Sequence, residues 1–201
     1  MAAGEFEGVH EGATRGSGAV IIWDEGTAEI VRDEPDHLTF VLSGHSVADG
    51  RPQLRCARGC TAVVVENLQA AESAAARFPG VAVLWVAGLP GEDELVALAG
   101  ALADAGRVLV IPDADAGGVA IAERICSVRA DAEVIDVGEQ PHTPGQRLSE
   151  QALSRLAAVR NGPAGALAAA CLRRGYRVEQ EATTGAAITT AMNRGNECAS
   201  G

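Results

Sequence analysis

The most constraining feature of this chain is an alternation that begins at residue 61. Short unbroken apolar runs are separated by segments of helical spacing, with brief connections between them. The runs are Thr61-Ala-Val-Val-Val65, Val81-Ala-Val-Leu-Trp-Val-Ala87, Arg107-Val-Leu-Val-Ile111 and Ala132-Glu-Val-Ile-Asp-Val137. Runs this short, apolar at successive positions and rich in Val, suit strands buried on both faces. Between them, 68–78, 92–105 and 118–128 read as helices, the second with Leu95, Leu98, Ala99 and Leu102 on one face. Such alternation demands a mostly parallel, four-stranded sheet with helices on both faces, an α/β fold. A Pro/Gly/His loop at 139–147 leads to two more helices, Ser149–Arg160 and Pro163–Arg174.

The flanks read differently. Residues 1–18 are Gly- and Glu-rich without an apolar h-region, which predicts a flexible tail and no secretory signal. Residues 19–60 read as a small β-rich segment. Ala19–Trp23 and Ala28–Val31 make a hairpin, and His37–Leu42 adds a third strand before a Gly/Asp/Pro-rich connection. The α/β domain spans 61–182, and the Thr/Ala/Gly-rich end, 183–201, reads as a second flexible tail.

Charge narrows the function classes. All 16 basic residues are Arg, so chemistry that requires a lysine (a Walker phosphate loop, a Schiff base, a receiver domain) is excluded. The net charge of −11 argues against a freestanding nucleic-acid or membrane-surface binder. It is uneven, however: residues 61–141 carry 4 Arg against 13 acids, and 142–201 carry 7 against 4. No stretch reaches transmembrane length. Five Cys, at 56, 60, 126, 171 and 198, are an odd number without an export signal, so reduced thiols in the cytoplasm are expected.

Ligands of open parallel sheets bind beyond the carboxyl ends of the strands. The first run leads into Glu66-Asn67, the second into Gly88-Leu-Pro-Gly91, and the third into Pro112-Asp113-Ala-Asp115-Ala-Gly-Gly118. Glu66, Asp113 and Asp115 therefore share one rim. Clustered carboxylates repel unless a cation or proton sits among them, and an all-oxygen set suits Mg²⁺ or Mn²⁺. Gly117 and Gly118 open a helix whose amides could approach an anion. The plainer reading of the same aspartates is turn formers and helix N-caps. Arg155, Arg160, Arg173, Arg174 and Arg177 either form a phosphate-facing patch or serve local helix ends. Cys56 and Cys60 could be half of a zinc site with His37 or His45, but no second close pair exists; two ordinary thiols are the simpler reading.

This arrangement resembles the Toprim domain family of topoisomerases, bacterial primases and nucleases. The resemblance rests on Val63-Val-Val-Glu-Asn-Leu68, the Gly-x-Pro at 88–90, Asp113-Ala-Asp-Ala-Gly-Gly-Val-Ala-Ile-Ala122 and Val178-Glu-Gln-Glu181. It is closest to the C-terminal Toprim region of the Wadjet plasmid-defence nuclease subunit and to the A subunit of type IIB topoisomerases. The resemblance implies a Mg²⁺-dependent DNA endonuclease within a DNA-defence or DNA-processing assembly, or a non-catalytic Toprim scaffold in one. It implies Asp113 and Asp115 as metal ligands and Glu66 as a further ligand or general acid/base. Glu181, with Glu179 beside it, is a candidate for a second metal. Gly117, Gly118, Arg173, Arg174 and Arg177 would face DNA. The family's DNA-gripping domains have no counterpart in the short, acidic residues 1–60. The single tyrosine, Tyr176, lies downstream of the motifs instead of upstream. Weak DNA binding by the chain alone, and a protein partner or second copy that supplies grip, are therefore expected.

Overall fold

Three consecutive valines, stiff at χ1 and fully buried, make Val63–Val65 a natural extended segment. In the computed structural model they form the centre of the sheet. The structure describes residues 19–24, 27–32, 38–41, 56, 58–78, 81–86, 88–141, 145–179 and 183–199. The residues 1–18, read above as a tail, lie outside these.

The elements in chain order are β1 (Ala19–Asp24), β2 (Thr27–Arg32), β3 (Leu38–Val41), β4 (Thr61–Val65), α1 (Leu68–Arg77), β5 (Val81–Trp85), α2 (Glu92–Leu102), β6 (Arg107–Ile111), α3 (Ala116–Val128) and β7 (Glu133–Val134). A 3₁₀ turn (Val137–Glu139) and helices α4 (Glu150–Ala158), α5 (Gly162–Arg174) and α6 (Thr184–Ala199) follow. The main sheet has the order β3-β5-β4-β6-β7, and every pairing in it is parallel. β1 and β2 form the expected antiparallel hairpin, in register from Ala19↔Arg32 to Asp24↔Thr27.

Period-two alternation splits the sheet's side chains between two apolar layers. Val64, Leu84, Val108 and Val110 pack with Leu98 and Leu102 of α2 and Ile121 and Ile125 of α3. Val63, Val65, Val83, Leu109 and Ile111 pack with Ala71 and Ala74 of α1, Leu167 of α5 and Ile188 of α6. Helices therefore cover both faces, as the alternation demands.

Three expectations are corrected. Residues 38–41 belong to the main sheet as its fifth strand, because β3 pairs parallel with β5 at Leu38↔Ala82 through Val41↔Trp85. The fourth expected strand is cut to Glu133–Val134, since Asp136 accepts the Gly138 amide at 2.8 Å and starts the 3₁₀ turn. The supposed C-terminal tail is helix α6. Its Ala187, Ile188 and Ala191 recur at helical spacing and are buried against the sheet, and that stripe outweighs the weak helix propensity of its threonines. Among the described residues, no helix is long and apolar enough to cross a membrane.

Candidate active site

β4 is flanked by β5 and β6, and all three strands end level: Val65 is paired with both Trp85 and Ile111. After β4 the chain turns one way, through α1 to β5. It then crosses back through α2 to β6 on the other side of β4. The β4–β6 boundary is thus the topological switch point, where departing connections diverge and leave a crevice. Glu66 leaves β4 and Asp113 leaves β6 at this crevice. The strand order, which the sequence does not state, is what brings them together.

The Glu66 side chain bridges the two strand ends: its Oε2 accepts the Asp113 backbone amide at 3.3 Å. Its own carbonyl accepts the indole Nε1–H of Trp85 at 2.9 Å. Trp85 is therefore more than a core residue, since it pins the backbone that presents the acid. Partial burial, then the negative charge of Asp113 and, less strongly, of Asp115, push the Glu66 carboxyl up to about 7. The amide of Asp113 opposes this by stabilising the ionised form. Near neutral pH, Glu66 therefore holds a proton far more readily than an ordinary carboxyl.

Asp115 sits at the N-cap of α3, where its Oδ1 accepts the amides of Gly117 at 2.8 Å and Gly118 at 2.9 Å. The turn-and-cap reading thus holds for this residue. The anion at the helix N-terminus is the protein's own carboxylate, so these two amides do not point to an external phosphate. Gly118 has a packing role as well: a Cβ there would meet the Asp113 carbonyl oxygen and lie 2.9 Å from the Asp113 carbonyl carbon. The residue must be glycine for α3 to start this close to β6.

A cleft of about 500 Å³ opens beside Glu66. Its walls come from the β5–α2 turn (Gly88, Leu89), from α3 (Gly117, Val119) and from α4 (Arg155, Leu156). Gly88 takes φ 88°, a left-handed conformation that suits glycine, and so turns the Gly-x-Pro segment away from the sheet at the cleft mouth. The late Val178 segment reaches the same rim. Ala114 and Val178 form an antiparallel bridge, with the Ala114 amide donating to the Val178 carbonyl at 2.8 Å. Glu179 is exposed there and paired with Arg177 at 2.5 Å. Glu181 lies outside the described residues, as do His37 and His45.

The arginines do not act as one patch. Arg174 is paired with Asp136 at 2.5 Å, both side chains almost wholly buried, and it fills the space that Gly138 leaves by lacking a side chain. Arg177 is engaged with Glu179, and Arg173 is exposed on α5. Arg155 is the arginine that lines the cleft with Glu66. Cys56 is buried and Cys60 half-buried, and burial pushes the Cys171 thiol up to about 11.

The donor chemistry suits a hard divalent cation: three carboxylates, electrostatically coupled, with Asp115 keeping Oδ2 opposite its capping oxygen. They are not drawn into a cage, because among the described residues no three His, Cys, Asp or Glu side chains are gathered for a metal. The chain matches no family model, no curated protein and no solved structure.

Proposed function

We propose that this chain is a Toprim-type, Mg²⁺- or Mn²⁺-dependent domain that cleaves DNA phosphodiesters, acting in the cytoplasm within a DNA-defence or DNA-processing assembly. The observation that supports it best is Glu66. Its carboxyl, raised to about 7 and coupled to Asp113 and Asp115, stands at the sheet's switch point and at the end of a cleft. Asp113 and Asp115 would hold the ion, and Glu66 would serve either as a further ligand or as the general acid/base. When bound, a divalent ion neutralises charge on the phosphate and on the departing oxygen. In the second role, with the ion on the two aspartates, Glu66 can take a proton from an attacking water or return one to the leaving oxygen. Trp85 pins the Glu66 backbone, and the Asp113 amide orients its carboxyl.

A scaffold without catalysis is the second reading. The capping role of Asp115 Oδ1 favours it, since a carboxylate committed to a helix end needs no metal. Nicking of supercoiled plasmid with Mn²⁺ separates the two. The nuclease reading expects nicking by the wild type and its loss in Glu66→Gln, with thermal stability retained. Equal nicking by the two proteins, or none by the wild type with any DNA-gripping partner present, leaves the scaffold. At a net charge of −11, duplex affinity alone should be weak, and a partner or second copy would supply the grip.

A further inference from the structure

We infer that Arg174 is a positioning residue for the rim aspartates, setting the Asp113–Asp115 turn through the extended segment 175–178. This deepens the metal-dependent reading, on which its functional consequence rests, because those two side chains would hold the ion. Ala114 separates the aspartates and is wholly buried. Its amide donates to the Val178 carbonyl at 2.8 Å, and its carbonyl accepts the Val178 amide at 3.3 Å. Both backbone polar groups of the residue between the two acids are thus tied to Val178. Displacing Val178 would shift both carboxylates relative to Glu66.

Val178 in turn stands where the end of α5 puts it, since only residues 175–177 lie between it and Arg174. Those residues are held along their length. Gly175 closes α5 at φ 75°, its amide donating to the Cys171 carbonyl at 2.9 Å and its carbonyl accepting the Leu148 amide at 3.0 Å. The Arg177 amide donates to the Gln146 carbonyl at 2.9 Å, and Tyr176 pairs with Arg147. The segment has little slack, so a shift at its start is passed on to its end. What fixes its start is the Arg174–Asp136 pair. The apolar contacts of α5, through Leu167, Ala168 and Cys171, hold it against the sheet but have no direction along its axis. The buried ion pair has one. It ties the last turn of α5 to the turn after β7, where Asp136 Oδ1 also accepts the Gly138 amide. Gly138 leaves the room, because a Cβ there would collide with the guanidinium. The Cys171 thiol is raised by burial, then by the charge of Asp136 and, less strongly, of Asp115, so this turn lies within the field of the rim acid.

The test uses the full chain and two readouts, at a temperature where circular dichroism shows the variants folded. One is amide hydrogen exchange at Ala114 without metal, taken relative to the central-strand amides of Val63, Val64 and Val65. The other is Mn²⁺ affinity by titration calorimetry. Arg174→Ala should speed the relative exchange at Ala114 about tenfold and weaken Mn²⁺ binding about tenfold or more. Gly138→Ala pushes the guanidinium aside without deleting it and should act in the same direction. It keeps the inference testable if Arg174→Ala does not fold. Leu102→Ala empties a buried position in the opposite apolar layer, and should lower stability while leaving both readouts unchanged. Three results overturn the inference: Ala114 exchange at the wild-type ratio in the folded variants, unchanged Mn²⁺ affinity where exchange has risen, or an equal loss of affinity in Leu102→Ala. A wild type that binds no Mn²⁺ refutes the metal-dependent reading instead, and Ala114 exchange alone then decides the role of Arg174.

Discussion

Replacing Glu66 by Gln should stabilise the metal-free protein, and only at neutral to alkaline pH. Folding raises this carboxyl from an ordinary value of 4.5 to about 7, so the folded state holds a proton that the unfolded chain has lost. Because the folded state binds more protons, stability is full below about pH 4.5 and falls as the pH rises through 7. A shift of that size at about 1.4 kcal/mol per tenfold change in the proton equilibrium sets a ceiling of ~3.4 kcal/mol. Glu66 is only partly buried, and solvent screening reduces the figure to ~1–2 kcal/mol. Gln keeps an oxygen for the Asp113 amide and never ionises, so it escapes the penalty. At pH 8 in EDTA the variant should melt about 2–8 °C higher than the wild type. At pH 4.5 the two should coincide. Paired thermal melts across that range, read as the difference between the proteins, cancel every other titrating group. A variant equally stabilised at pH 4.5 and 8, or less stable than the wild type at pH 8, refutes the claim that burial and the two aspartates strain this carboxylate.

Other substitutions test the neighbouring geometry. Gly118→Ala should cost about 1–3 kcal/mol by forcing α3 off the Asp113 backbone, whereas Gly117→Ala, with only the Asp115 carboxylate 3.2 Å from its new Cβ, should cost less; urea melts compare them. Arg174→Ala leaves Asp136 charged and almost wholly buried, so a loss of about 3–5 kcal/mol is expected in the same assay. Trp85→Phe removes the indole donor to the Glu66 carbonyl and should destabilise by about 1 kcal/mol, with a larger proportional loss of Mn²⁺-dependent nicking. Mn²⁺ should raise the wild-type melting temperature at pH 8 with the logarithm of its excess over Kd, and Asp113→Ala/Asp115→Ala should abolish the rise.

How much of this was legible in the sequence differs by residue. The Val-rich runs from 61 to 111 declared buried strands, because only a strand enclosed on both faces needs that many consecutive apolar side chains. Leu38–Val41 gave no such sign of where it would pair, since pairing partner is a tertiary property and the local pattern fits a hairpin strand as well. Helix α6 was concealed by its Thr, Gly and Asn, whose propensities argue for a coil, and its stability comes from Ala187, Ile188 and Ala191 against the sheet. Within the site, Glu66, Asp113 and Asp115 were recoverable from the rule that ligands bind beyond strand ends. The proton on Glu66 was not, because it depends on burial and on distances set by the strand order. Arg155 was indistinguishable from Arg173 or Arg174 in the sequence; only the packing of α4 beside α3 separates the cleft arginine from the buried ion pair.

These observations also fix how the rim tolerates three acids before any cation arrives. Asp115 sets its Oδ1 against two amides at the positive end of α3. Glu66 has a single amide from Asp113 and two repelling neighbours, so it gives way by taking a proton. The repulsion is therefore eased at Glu66, which lines the cleft. A cation bound here must displace that proton, and its apparent affinity should rise as the pH climbs through about 7. The helix cap on Asp115 and the raised carboxyl of Glu66 are thus two parts of one arrangement: backbone amides engage one carboxylate, and a proton eases the other.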